Sequence, residues 1–156
     1  PPCQCVPFQE FKDQIRRAQG GESLAEQRGN RGRADPAQRG SLTGLIPSLK
    51  PVGGTPLGDG IAKGGQMLDG VNRQSVMVVI SDGQESCGTD PCGVARQLAR
   101  TKPNLKINVV DIMGTGAGNC VANATGGRVF TAKSVNELNL MVSQAAQDVM
   151  GPGNCR

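Results

Sequence analysis

The side chains in this chain able to do chemistry reduce to a few oxygens at two turns and six thiols. Asp82 directly follows the apolar run Ser75 to Ile80 and precedes Gly83, which permits a sharp turn. Thr55 sits in the glycine-rich stretch Gly53-Gly54-Thr55. A carboxylate and a hydroxyl on adjoining loops, joined by water or further oxygens, suit a hard cation such as Mg²⁺ or Ca²⁺, although two ligands alone bind it weakly. Asp59 and Glu85 are near in sequence and are lesser candidates. The plainer alternatives are a helix cap at Thr55 and a turn-forming Asp82.

The thiols belong to Cys3, Cys5, Cys87, Cys92, Cys120 and Cys155. Their number is even, and the chain has no His to complete the usual zinc sites. Cys3-Gln4-Cys5 is too tight for a C-x-x-C pair, and Cys87 to Cys92 is too wide. A cystine framework in an oxidising compartment follows, either periplasmic or extracellular. The turn Gly88-Thr89-Asp90-Pro91 favours a bridge between Cys87 and Cys92, which would leave Cys120 to reach the amino-terminal pair.

Composition excludes whole classes of function. Without His, Tyr or Trp, no Ser-His-Asp or Cys-His set and no tyrosine relay can be written, so the chain is not expected to be an enzyme. Its only aromatics are Phe8, Phe11 and Phe130, too few for base stacking, and its 17 Lys and Arg are scattered among 13 Asp and Glu. Nucleic acid is therefore not an expected partner. The longest apolar run, Val76 to Ile80, is far short of the ~20 residues of a membrane span, so no transmembrane segment is expected. The chain opens on Pro1 with no leader, which suggests that an upstream piece has been removed.

The elements that must position these residues are legible from periodicity and caps. Phe8, Phe11, Ile15 and Ala18 predict an amphipathic helix, and residues 21 to 40, rich in Gly and Arg, predict a surface loop. Leu42, Leu45, Ile46 and Leu49 predict a second helix. Thr55 as N-cap and Pro56 as first helical residue open a third, running to about Leu68. Strands are expected at Ser75 to Ile80, Lys106 to Met113 and Arg128 to Thr131. Helices are expected from an Asp90-Pro91 cap to Arg100, through Cys120 to Ala124, and after the capping box Ser134-Val-Asn-Glu137. The alternation of strand and helix predicts an α/β fold with a doubly wound parallel sheet. The expected segments are an amino-terminal helix and loop over 1–41, the α/β domain over 42–149 and a tail over 150–156.

Three ordered stretches carry a family likeness: Gly53-Gly54-Thr55-Pro56-Leu57; Val78-Val79-Ile80-Ser81-Asp82-Gly83; and Glu85-Ser86-Cys87-Gly88-Thr89-Asp90-Pro91-Cys92. Together with Cys120-Val-Ala-Asn-Ala-Thr-Gly-Gly127, they resemble the second half of a von Willebrand factor type A domain of the bacterial exported kind. The resemblance implies that Thr55 and Asp82 are the second and third elements of a metal-ion-dependent adhesion site. The first element, Asp-x-Ser-x-Ser, is absent from the chain, so Mg²⁺ or Ca²⁺ is expected only if that element is supplied from elsewhere.

The family sheet runs 3-2-1-4-5-6, and this chain shows only the last three strands, as though the first were missing. Strand Ser75 to Ile80 would then present an apolar edge that something must cover. The cover could be an upstream segment, a second polypeptide, or Gln4 to Phe8, which Pro7 disfavours. The implied function is that of an exported protein-binding module that meets its partner at the carboxyl rim of the sheet. The alternative is a structural subunit of a larger assembly with a vestigial metal site.

Overall fold

The computed structural model describes Gly44, Pro47 and residues 53–83 and 85–147. The helix expected over 8–18, the Gly/Arg-rich loop and the tail over 150–156 lie outside the described residues, as does the helix expected over 42–49 apart from Gly44 and Pro47. The chain divides into two compact units, one of Pro1–Cys5 with Gly54–Arg156 and one of Val6–Gly53. The elements that follow all belong to the first.

Strand β2 (Leu105–Asp111) is the centre of that unit, and its sequence explains why. Leu105, Ile107, Val109 and Val110 are apolar and buried, and three of the four are β-branched, which suits a strand covered on both faces. β1 (Ser75–Ser81) pairs with it in parallel along its whole length, from Ser75 opposite Leu105 to Ser81 opposite Asp111. On the other side the short β3 (Val129–Thr131) pairs in parallel with Val109 to Asp111. The sheet is thus three parallel strands in the order β1-β2-β3.

Helices cover both faces. α1 (Leu57–Met67), α2 (Pro91–Thr101) and α3 (Asn119–Thr125) pack Ile61, Ala95, Val121 and Ala122 against Leu105, Ile107 and Val109. α4 (Val135–Gln147) packs Ala145, Leu138, Met141 and Val142 against Val110, Val78 and Phe130 on the opposite face. Odd-numbered residues of β2 face one layer and even-numbered residues the other, as the strand period of two requires. The expected α/β architecture with a parallel sheet is therefore present.

Several boundaries shift for physical reasons. α1 begins at Leu57 with Pro56 as its N-cap, so Thr55 does not cap it through its side chain. β2 ends at Asp111, two residues before the expected Met113, because the Asp111 carboxylate turns back on the chain that follows. The Asp90-Pro91 start of α2 is as expected, with the Asp90 carboxylate accepting from the Cys92 N–H at 2.9 Å. Ser134 Oγ accepts from the Glu137 N–H at 3.2 Å, while the Glu137 carboxylate reaches Lys133 N at 2.7 Å, one residue earlier than a capping box would place it.

The Thr125-Gly126-Gly127 sequence fastens α3 to β2. Thr125 Oγ1 accepts from the Ile107 N–H at 2.9 Å. Gly126 ends the helix in the left-handed region at φ 68°, where glycine carries no Cβ penalty. Gly127 lies so close to the Ile107 carbonyl that a Cβ there would collide with it. Beside it, the buried Asn108 accepts from Arg128 N at 2.8 Å and donates to the Ala145 carbonyl at 2.8 Å, tying β3 and α4 to the central strand.

Candidate functional site

Parallel strands deliver their following loops to one edge, and in open α/β sheets ligands meet the protein there. At this carboxyl rim the loop after β1 is laced to the segment that opens α1. The Thr55 N–H donates to Ser86 Oγ at 2.6 Å, and the Ser86 N–H returns a bond to the Thr55 carbonyl at 3.1 Å. Glu85 accepts from the Gly58 N–H at 2.7 Å with one carboxylate oxygen and from the Cys87 N–H at 2.5 Å with the other. Gly58 is in the first turn of α1, so Glu85 does from a distant loop what Thr55 was expected to do locally: it accepts from an orphan donor of the helix start and puts negative charge at its positive end. Thr89 Oγ1 donates to Asp59 at 2.9 Å and packs against Gly58. Asp59 and Glu85, read from sequence as lesser ligand candidates, are thus engaged in holding the loop.

Asp82 stands at the tip of the turn after β1. Ser81 Oγ donates to the Gly83 carbonyl at 2.9 Å, and the Ile112 N–H donates to the Ser81 carbonyl at 2.9 Å, so the turn is fixed on both sides of it. The Asp82 side chain is exposed and has no hydrogen bond or ion pair among the described residues. Thr55 is half-buried, and its contacts described above run through its backbone. The lacing carries Thr55 to the loop that follows Asp82, bringing the two predicted site residues to one rim.

Among the described residues there is no group of three or more His, Cys, Asp or Glu able to hold a metal ion. Thr55 and Asp82 are two ligand side chains, whereas Ca²⁺ takes about six to eight oxygens and Mg²⁺ about six.

Sequence reasoning passed over Asp111, the one carboxylate buried in the described part of the fold, at 3% exposure. It accepts from the Met113 N–H at 3.1 Å, the Gly116 N–H at 2.7 Å and Thr115 Oγ1 at 3.4 Å. Burial pushes its carboxyl up, but the backbone N–H groups of Gly116, Thr115, Gly114 and Met113 outweigh this and hold it below the ordinary Asp range. An Asp followed by Gly114-Thr115-Gly116 is an Asx-turn signal, hidden by reading the strand on to Met113.

The cystine expectation needs correction. Cys92 is bonded to Cys120, 28 residues away and with 5.5 Å between Cα atoms, and not to Cys87. The helix start expected at Asp90-Pro91 prevails over the closing turn expected across Gly88 to Pro91, so Cys92 enters the first turn of α2 and meets Cys120 in the first turn of α3. Cys120 therefore does not reach the amino-terminal pair. Cys87 is itself disulfide-bonded. No helix among the described residues is long and apolar enough to cross a membrane.

No family model matches the chain, and no solved structure matches it. Two proteins of Bacillus subtilis (strain 168) are similar to it. The uncharacterized protein YwmD is 27% identical over 108 residues, covering 65% of this chain and 48% of YwmD. The uncharacterized protein YwmC is 24% identical over 110 residues, covering 67% of this chain and 48% of YwmC. The chain thus spans about half the length of the curated relatives it matches.

Proposed function

We propose that this chain is a non-enzymatic protein-binding module of the von Willebrand factor A type, exported to an oxidising compartment, which meets its partner at the carboxyl rim of its sheet. The observation that carries this reading is Asp82: a carboxylate presented on a fixed turn, exposed and without a described partner, beside a loop that every neighbouring carboxylate is spent on holding. Such a group is available for a charge-assisted hydrogen bond from a partner. The order of three parallel strands with helices on both faces is what the last three strands of that family would form. A cystine between α2 and α3 supports export, because disulfides persist in oxidising compartments.

In this reading Mg²⁺ or Ca²⁺ joins the rim only where further polypeptide supplies an Asp-x-Ser-x-Ser element, which would add the oxygens that Thr55 and Asp82 lack. The binding role does not depend on it.

A photoreactive residue at position 82, compared with one at position 100 near the end of α2, tests the proposal in the organism that makes the protein. A discrete crosslinked protein from position 82 and none from position 100 is expected. Equal labelling at both positions, or none at either, would sink it. Asp82→Ala should leave stability within about 0.5 kcal/mol, as for other exposed positions without contacts, and should abolish partner binding.

A second reading, a structural subunit buried in a larger assembly, is favoured by the other edge of β1. No described residue pairs with that edge, and Ile80 on this strand is 50% exposed. A strand from another polypeptide laid along it would continue the sheet.

A further inference from the structure

We infer that the amino edge of the sheet, opposite the carboxyl rim, is a docking surface for an anionic lipid membrane. Along the sequence Lys and Arg are interspersed with Asp and Glu, but the fold sorts them. Among the described residues Asp59, Asp82, Glu85, Asp90, Asp111 and Glu137 stand toward the carboxyl rim, each at the end of a strand, in the loop beyond it or at the start of a helix. The amino edge, where α1 and α2 end and the three strands begin, carries Arg73, Arg100, Lys102, Lys106 and Arg128 against Asp69 alone.

Backbone and amide bonds hold these bases in place. The Asn104 N–H donates to the Gly70 carbonyl at 2.8 Å and its side-chain amide to the Val71 carbonyl at 2.7 Å, so the loop into β1 lies against the loop into β2. Arg128 N donates to Asn108, two residues beyond Lys106, which sets the entry of β3 beside that of β2. Lys102 is turned inward to the Gly65 and Leu68 carbonyls at the end of α1, whereas Arg73, Arg100, Lys106 and Arg128 are exposed. Helix dipoles do not account for this sorting, since of the four exposed bases only Arg100 lies in the last turn of a helix.

Two further side chains favour a membrane over a soluble polyanion. Met67, 84% exposed, ends α1, and Val71, 48% exposed, stands in the loop that leads to Arg73. Apolar groups beside bases gain nothing from the phosphates of a polymer, but at a bilayer they enter the headgroup boundary while the bases meet anionic headgroups. The bases also flank the sheet on both sides, Arg100 with α2 and Lys106 on the α4 face, a spread that suits a plane. Docked this way, the molecule turns its carboxyl rim away from the bilayer and toward a protein partner. The docking goes beyond that binding role, does not rest on it and can fail separately from it.

Cosedimentation with vesicles of phosphatidylglycerol and phosphatidylcholine in equal parts, at about 0.1 M salt, tests the inference. Binding is expected, and it should be lost on phosphatidylcholine alone and at about 1 M salt, where the screening length falls to ~3 Å. Arg73→Glu with Lys106→Glu should weaken it by about 25-fold or more, taking ~fivefold for each base removed. Met67→Ser with Val71→Ser should weaken it without any change in charge. Arg96→Glu with Lys133→Glu alters net charge equally but away from this edge, and should weaken it far less, all variants keeping the wild-type circular dichroism spectrum. No binding by the wild type, equal loss from the two charge-reversed pairs, or binding to soluble polyphosphate in preference to the vesicles would each overturn the inference.

Discussion

Asp111, when ionised, can only accept hydrogen bonds, and the loop after β2 turns its backbone donors toward it. Its role is to hold the chain between β2 and α3 in a fixed path. Replacing it with Ala leaves these donors without their acceptor, at a cost of about 2–3 kcal/mol, read as a fall in the urea midpoint at neutral pH. The pH dependence has a definite sign. Because the folded protein holds this carboxyl below its unfolded value, the stabilisation is complete above the ordinary Asp pKa of about 3.9 and fades as pH falls through the lower, folded value. Urea midpoints of the wild type and of Asp111→Asn should therefore converge between neutral pH and strongly acidic pH. A constant gap between them would refute the assignment. Glu85 is the neighbouring case: its place in the chain gave no hint that it would cap a helix 27 residues upstream, because a cap supplied from another loop has no local pattern.

At the scale of elements, glycines separate position from propensity. Gly127→Ala forces a Cβ against the Ile107 carbonyl and should cost about 3 kcal/mol or prevent folding. Gly60→Ala has open space around it inside α1 and should instead stabilise the protein by about 0.5–1 kcal/mol through helix propensity. Thermal melts of the two variants should shift in opposite directions, and the same sign for both would discredit the packing described here. Removing the Cys92–Cys120 bridge as a double Ala variant frees a loop of 28 residues and should cost about 3–4 kcal/mol by chain entropy, seen as a lower melting temperature that reductant no longer changes further at this bond.

These elements were legible to different degrees. Ser75 to Ile80 and Lys106 to Met113 read as strands from their β-branched content, and Asp90-Pro91 read as a helix start, because each signal is local; burial was legible only for the second, since β2 is largely buried whereas β1 is half-buried and exposes Ile80. The Cys92–Cys120 bond was not legible, since it depends on α2 and α3 lying side by side on the sheet, which no spacing within either helix records. Thr55 and Asp82 were placed at one rim by topology, but the bonds that bring their loops together run through Ser86, a residue with no chemistry of its own to draw notice.

For the whole molecule the sheet has a consequence that its parts do not. Among the described residues β1 is paired on one side only, although it is as long as the central strand and more apolar. A flat apolar edge of that length is a template for further strands, and native proteins shorten, charge or cover such edges. β3 answers the problem by being three residues long; β1 is seven and carries no charge. The protein alone should therefore self-associate, with a weight-average mass in sedimentation that rises with loading concentration. Ile80→Lys places a charge at the half-exposed end of that strand and should return the mass to that of a monomer with an unchanged circular dichroism spectrum. Self-association that persists in the variant would locate the contact elsewhere, for instance on the exposed Val135 and Leu140 of α4. A wild type that stays monomeric throughout would mean that this edge is not a template, and would remove the observation that favours a strand-donating neighbour.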